Sequence, residues 1–497
     1  MGVSTLAVVG PHPELAELSA ADLSRMLSSG KLTSLELIQM SLERIEALDR
    51  DKTRSVIEIN PDALDIARRR DREQSRGKVR GPLHGLPVLV KDNIDTGDRM
   101  LTTAGSLAMT GAPAPRDAPL VANLRRAGAV LIGKANLSEW ANIRSSRSSS
   151  GWSGRGRQTR NPHVLDRTPS GSSSGSGAGV AAGFAALAIG TETDGSIISP
   201  ANANGVVGIK PAVGVVSQAG IIPISASQDS AGPMTRTVED AAVLLGVIST
   251  RGAGYRRGLK KDALRGKRLG VLRDPFTGYS EHTDRCYEGA LAALQDCGAV
   301  LVEVEIATAK ELRSSELEKT VLLHELKAGL NAYLRGRRGL AVRSLADVIR
   351  WNRSHAAEEM PYFRQEFFED SQATRGLKSK AYTEAHDRAR RMAGPEGIDR
   401  ALRKHRLAAL VAPSGAPAAA IDEVDGEKHL GGSTQLAAVA GYPIISVPAG
   451  FAFGLPLGLS MFAGAGSEAR LLSFAFAFEQ ATNARQAPGF LPTLTLP

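Results

Sequence analysis

A chain of 497 residues with 42 % hydrophobic and 23 % charged side chains has apolar material for a sizeable core and too much of it for global disorder. Two cysteines, Cys286 and Cys297, exclude a disulfide framework, and no Cys-x-x-Cys spacing points to zinc or redox chemistry. The charge of +9 reflects 61 Lys and Arg against 52 Asp and Glu, a small excess whose runs at 68–80, 256–261 and 335–343 read as solvated helical faces, so nucleic acid is not expected as a partner.

Length alone predicts two or three domains. Residues 1–10 hold no basic residue before the apolar run 6–9, which is too short for a signal segment, and no stretch reaches transmembrane length. The expectation is a cytoplasmic protein without a membrane partner.

From Leu15 to Ala47 the chain reads as two helices, each opened by a capping-box pattern, Ser19 with Asp22 and Thr33 with Glu36. Leu35, Leu37, Ile38, Leu42, Ile45 and Leu48 follow at helical spacing, which places these helices on the outside of the core. The apolar run 82–90, with β-branched Val88 and Val90, predicts a strand that delivers Lys91 at its carboxyl end, a usual position for active groups in α/β folds. A helix from Pro119 leads into a strand over 128–134, and the same helix-to-strand wording returns at 298–306.

Segments 145–153 and 169–179 have the Gly/Ser content of linkers, yet each abuts motif residues and is expected inside the fold. Residues 177–189, small and apolar on nearly all sides, read as a buried helix. A charged, helix-rich stretch spans about 310–404, and strand-like runs follow at 407–412 and 444–447, so the core draws on both ends of the chain. The fold class is α/β.

Several motifs compete for function. Residues 128–134 nearly match a phosphate-binding loop, but Ala135 stands where Ser or Thr is needed. Gly171-Ser172-Ser173-Ser174-Gly175 matches a nucleophile elbow around Ser173, but 166–170 does not read as the strand an elbow requires. The nine histidines form no His-Glu-x-x-His or similar cluster, so no metal is expected. Of Trp140 and Trp152, the second, inside the Ser/Gly-rich segment, is the better candidate to line a substrate entrance.

Acyl transfer needs a nucleophile, a base and donors for an oxyanion. Ser196 follows the turn-prone Asp194-Gly195 pair, where the backbone N–H groups of Thr193, Asp194, Gly195 and Ser196 can converge on one oxygen. Lys91 serves as a base only if neutral, which desolvation after the run 86–90 would favour.

Three segments carry the resemblance: Leu83-His84-Gly85-Leu86-Pro87-Val88-Leu89-Val90-Lys91-Asp92-Asn93, Gly171-Ser172-Ser173-Ser174-Gly175-Ser176 and Gly190-Thr191-Glu192-Thr193-Asp194-Gly195-Ser196-Ile197. In this order, with 204–211 and 229–234 after them, they resemble the amidase signature family. The resemblance implies one large domain over 1–497, a mixed central sheet covered by helices on both faces, divided into N-terminal helices (1–80), a catalytic core (81–250), a helix-rich substrate side (251–405) and a return to the core sheet (406–497). It implies a catalytic triad of Lys91, Ser172 with a cis peptide bond from Gly171, and nucleophilic Ser196, with an oxyanion hole at Thr193, Asp194 and Gly195, Ser173 in support, and no cofactor.

The chain departs from the family's common wording at Ser170, Ser174, Glu192, Asp194 and Ile198, and Asp194 puts a side chain beside the oxyanion donors. Residues 138–142, 150–153 and 190–196 resemble the bacterial peptide amidases within that family, which release the C-terminal amide of peptides as ammonia. That implies peptide C-terminal amides as substrates. The same triad also suits aryl amides or carbamates, and the amidase-like component of a tRNA-linked amidotransferase is a further reading. The acyl group and oligomeric state are not legible.

Overall fold

Both N-terminal capping boxes form. In the computed structural model, which describes residues 10–250, 252 and 254–494, Ser19 and Asp22 exchange side-chain and backbone hydrogen bonds at the start of the helix Ala20–Ser28, and Thr33 and Glu36 do so before the helix Ser34–Leu48. Each box satisfies donors that the first helical turn would leave unpaired. The second helix buries Leu37, Ile38, Ile45 and Leu48. The apolar run 6–9 lies outside the described residues.

One sheet of eleven strands organises the described residues. Its strands are β1 (Val56–Ile59), β2 (Pro87–Lys91), β3 (Val130–Ala135), β4 (Leu187–Glu192), β5 (Val207–Lys210), β6 (Ser230–Thr235), β7 (Arg268–Leu272), β8 (Val300–Val304), β9 (Ala409–Pro413), β10 (Ile444–Ala452) and β11 (Leu455–Phe462). They lie in the order β1-β3-β2-β4-β6-β5-β10-β11-β9-β7-β8. Pairing is parallel in β3-β2-β4 and in β9-β7-β8 and antiparallel elsewhere. The sheet is mixed, as expected, and early and late parts of the chain meet where β5 pairs with β10.

Side chains alternate across each strand, and the core follows that alternation. Val88, Val90, Leu131, Leu187 and Ile189 enter a cluster that continues without a break to Val411, Ile445, Val447 and Met461, covered by helices that include Val238–Ile248, Glu281–Asp296 and Glu468–Thr482. Leu89, Val130, Ile132 and Ala188 face the opposite way, against Ile38, Ile45 and Val180. Because the first cluster crosses both halves of the sheet, the chain makes one domain, where length alone predicts two or three.

Two expectations need correction. The helix read over 177–189 is Ser174–Ala181, closed by Gly183 at φ +79°, and Leu187–Ile189 belong to β4; a small, apolar run buried on all sides has no periodicity to separate helix from strand. The strand read over 82–90 starts only at Pro87. β5, β6, β7 and β11 carry Gly or Pro in the strand, which masks the pattern that would announce them.

Because β2 and β4 run parallel, with Val90 opposite Ile189, their carboxyl ends emerge together. Lys91 ends one and Thr191-Glu192 the other.

Candidate active site

Lys91 is fully buried, and its Nζ lies 2.8 Å from Ser172 Oγ, 3.0 Å from Ser173 Oγ, 2.9 Å from Thr191 Oγ1 and 3.1 Å from the Thr191 carbonyl oxygen. All four neighbours are uncharged. Burial pushes the lysine well below its usual value, opposed only in part by the fields of Glu192 and Asp229. Asn93 Nδ2 donates to Thr191 Oγ1 at 2.9 Å, and Ser173 Oγ donates to the Thr191 carbonyl at 3.0 Å.

The peptide Gly171–Ser172 is cis. Ser170 just before it has φ +57°, where the common family wording has glycine, and its carbonyl accepts from Ser174 Oγ at 2.7 Å. The helix Ser174–Ala181 then runs directly beneath β2, β3 and β4, and its glycines let it approach. A Cβ on Gly175 would meet the backbone of Ser55 and, at 2.6 Å, both N and O of Asn136.

The turn after β4 holds Thr193, Asp194, Gly195 and Ser196. Gly195 has φ +78°, a conformation that side chains resist, so the turn needs glycine there. Four hydrogen bonds fix the turn. Glu192 Oε2 accepts from the backbone N–H of Ile197 at 2.7 Å and of Ile198 at 2.9 Å, the start of the helix Ile198–Asn204. Thr193 Oγ1 donates to Asp229 Oδ1 at 2.6 Å, and Ser173 N donates to the Ser196 carbonyl at 3.0 Å. Burial raises the carboxyls of Glu192 and Asp194, and that of Asp229 to about 6.

Lys91, Ser172 and Ser173 are thus in direct contact, and the backbone of Ser173 joins them to Ser196. Trp152 is elsewhere. At 2 % exposure it packs edge-on against Phe363 and Tyr362, at 5.2 and 5.7 Å between ring centres, beside the buried pair Arg144–Glu139. It clamps the segment 360–363 to the core and lines neither cavity at the serines, contrary to the entrance role expected for it. Sequence reading missed Thr191, Asn93 and Asp229 as contacts of this cluster. Asn93 and Thr191 lie inside the segments that carry the resemblance and Asp229 opens the stretch 229–234 that follows them, so the signal was present without a role attached.

Two cavities flank the serines. One, of about 20 Å³, has room for about one water-sized molecule and touches Ser172, Asn93 and Thr191 against Ile221, Ile222 and Pro223. The other, of about 430 Å³, touches Ser196, Asp194 and Gly171 and is walled by serines 145, 146, 148 and 150, with Glu427 and His429. Among the described residues no group of three or more His, Cys, Asp or Glu is placed to hold a metal, and no helix is long and apolar enough to cross a membrane.

The amidase family profile matches residues 36–472. A peptide amidase from Stenotrophomonas maltophilia is similar in structure, with TM-score 0.91 and 49 % identity over 96 % of this chain and 99 % of that one. A probable amidase of Arabidopsis thaliana is 40 % identical over 96 % of this chain and 92 % of its own length. A glutamyl-tRNA(Gln) amidotransferase component from Moorella thermoacetica is 33 % identical over 94 % of this chain and 97 % of its own.

Gly175→Ala forces a methyl into backbone that cannot yield, so the helix Ser174–Ala181 must move off the sheet. The expected loss is about 3 kcal/mol of stability together with activity, read as a lower urea midpoint. An unchanged midpoint and rate would show that this close approach is not required.

Proposed function

We propose, from the premise that the chain belongs to the amidase family and is an amidase, that it hydrolyses peptide C-terminal amides through an acyl-enzyme on Ser196. One observation carries the mechanism: a fully buried Lys91 amine, 2.8 Å from Ser172 Oγ, with only uncharged oxygens around it. A neutral amine donates two hydrogens and offers one lone pair. The Thr191 carbonyl can only accept, Ser173 gives its hydrogen to that carbonyl, and Thr191 Oγ1 already accepts from Asn93. That leaves the hydroxyls of Ser172 and Thr191 each with a hydrogen for the lysine lone pair; Ser172, whose neighbour Ser173 bonds through its backbone N–H to Ser196, is the one assigned to the relay, and its oxygen is free to take a proton in turn.

In the forward step Ser196 Oγ bonds to the acyl carbon while its proton passes to Ser172, whose own proton goes to Lys91. The carbonyl π electrons move onto oxygen, where the N–H groups of Thr193, Asp194 and Gly195 receive the negative charge. When the C–N bond breaks, its electron pair leaves with nitrogen, which takes a proton from Ser172 as Lys91 returns its own. Water repeats the sequence on the ester and frees Ser196. Glu192 and Asp229 hold the turn that presents the oxyanion donors, and Ser173 holds Lys91 and Thr191 in place.

The flanking cavities support the choice of substrate. The leaving nitrogen is protonated from Ser172, so it lies on the Ser172 side, where the cavity of about 20 Å³ suits ammonia and is too small for an aryl ring. The acyl group falls to the cavity of about 430 Å³ at Ser196, large enough for a peptide end. This arrangement favours primary amides over anilides and carbamates. No cofactor enters the scheme.

Ser196→Ala is expected to abolish turnover in a folded protein, and Lys91→Ala and Ser172→Ala to lower kcat by several orders of magnitude, since one relay fails wherever it is cut. The relay needs the unprotonated amine, so kcat/KM should fall as pH drops through the lowered lysine value; a rate for Lys91→Ala near that of the native enzyme would end the lysine-base scheme. For substrates of matched acyl group, ammonia release from a blocked peptide amide should exceed aniline release from the anilide by at least about tenfold in kcat/KM. The reverse order would remove the peptide-amide reading and leave the Ser196 chemistry intact.

A further inference from the structure

We infer that Glu427 makes the large cavity selective for peptide amides whose C-terminal residue carries a positive charge. This rests on the assignment of that cavity to the acyl group. Among the described residues, the ionisable side chains in the cavity wall are Asp194, Glu427 and His429, and the lining itself holds no lysine or arginine; Lys428, between Glu427 and His429 in the chain, is exposed and outside this wall, and Lys210 and Arg313 act on Asp194 from beyond it. Arg147, from the same serine-rich segment, is exposed and outside the wall.

Glu427 is held in a defined place. Its Oε2 accepts from the Ser150 backbone N–H at 3.0 Å and its Oε1 from Thr168 Oγ1 at 2.9 Å, so the carboxylate is oriented from two separate segments. One donor per oxygen leaves each with a further lone pair. The stretch just before it adds Asp422, Glu423 and Asp425, none of them buried. Burial raises the Asp194 carboxyl, and both carboxyls in the wall, Asp194 and Glu427, are acidic groups facing the same space. The serine hydroxyls between the two carboxyls can accept from an ammonium but cannot neutralise an anionic side chain, so the same wall that attracts lysine repels glutamate.

Acetyl-lysine amide, acetyl-norleucine amide and acetyl-glutamate amide test this, with norleucine as the near-isosteric uncharged reference and ammonia release as the readout. Lysine is expected to exceed norleucine about tenfold in kcat/KM and glutamate to fall below both, since a single facing carboxylate acts across a partly solvated gap. High salt should compress the lysine preference. Glu427→Gln should bring the lysine-to-norleucine ratio towards one. Calorimetric binding of the same three amides to Ser196→Ala reads the charge preference without turnover.

A ratio near one in the native enzyme, or a ratio unmoved in Glu427→Gln, overturns the inference. If norleucine amide is cleaved without a lysine preference, this inference fails and the peptide-amide reading stands. If none of the three amides releases ammonia while an anilide is cleaved, the peptide-amide reading fails, and the binding order in Ser196→Ala still decides the role of Glu427.

Discussion

The structure depends on one buried amine. Placing a lysine charge in a protein interior costs several kcal/mol unless a partner charge sits against it, and Lys91 has four neutral oxygens within 3.1 Å and, among the described residues, no carboxylate in contact. The interior resolves the conflict by favouring the uncharged amine, the form that the proposed relay requires. Two other lysines are fully buried and show the alternatives. Lys134 donates to the Ile94 carbonyl and Thr102 with Asp92 4.0 Å away, and Lys210 donates to the Tyr442 carbonyl near the Glu192 carboxyl. Lys134 has a carboxylate within 4.0 Å and Lys210 feels the field of Glu192, which also reaches Lys91; in direct contact Lys91 meets only hydroxyls and a carbonyl.

Bringing those hydroxyls to the lysine is a problem of strand ends. β2 supplies Lys91 and its parallel neighbour β4 supplies Thr191, so sheet register alone sets one pair of contacts. The serines come from outside the sheet, at the head of a helix that must lie close beneath it, and the glycines at 175, 177 and 179 remove the side chains that would hold it away. The same feature that lets Ser172 and Ser173 reach Lys91 makes the segment look like a flexible linker in the sequence. In the structure it is buried almost throughout.

This explains what was legible. The capping boxes, the delivery of Lys91 by a strand and the helix-rich middle follow from local pattern, because each depends on residues near one another in the chain. The boundary between the helix Ser174–Ala181 and β4 does not, since total burial erases periodicity. Trp152 shows a second limit. An aromatic beside glycines and serines looks like an entrance residue, but its partners Tyr362 and Phe363 lie far along the chain, and nothing local reveals them. Asp229 is similar: its hold on Thr193 depends on where β6 sits beside β4.

The long helical connection between β8 and β9 and the segment before β10 both reach the large cavity. The lysine, serines and turn are all carried on β2, β4 and the helix between them, inside the first half of the sheet. The large cavity instead takes Leu322 and Phe367 from the helix-rich region and Glu427 and His429 from the segment before β10. Substitutions in those outer segments would alter the space and charge of the cavity assigned to the acyl group in the proposed scheme, without touching a contact of Lys91. In the proposed scheme, chemistry and selectivity draw on different segments of one domain, which meet along the cavity wall at Gly171, Thr193, Asp194 and Ser196.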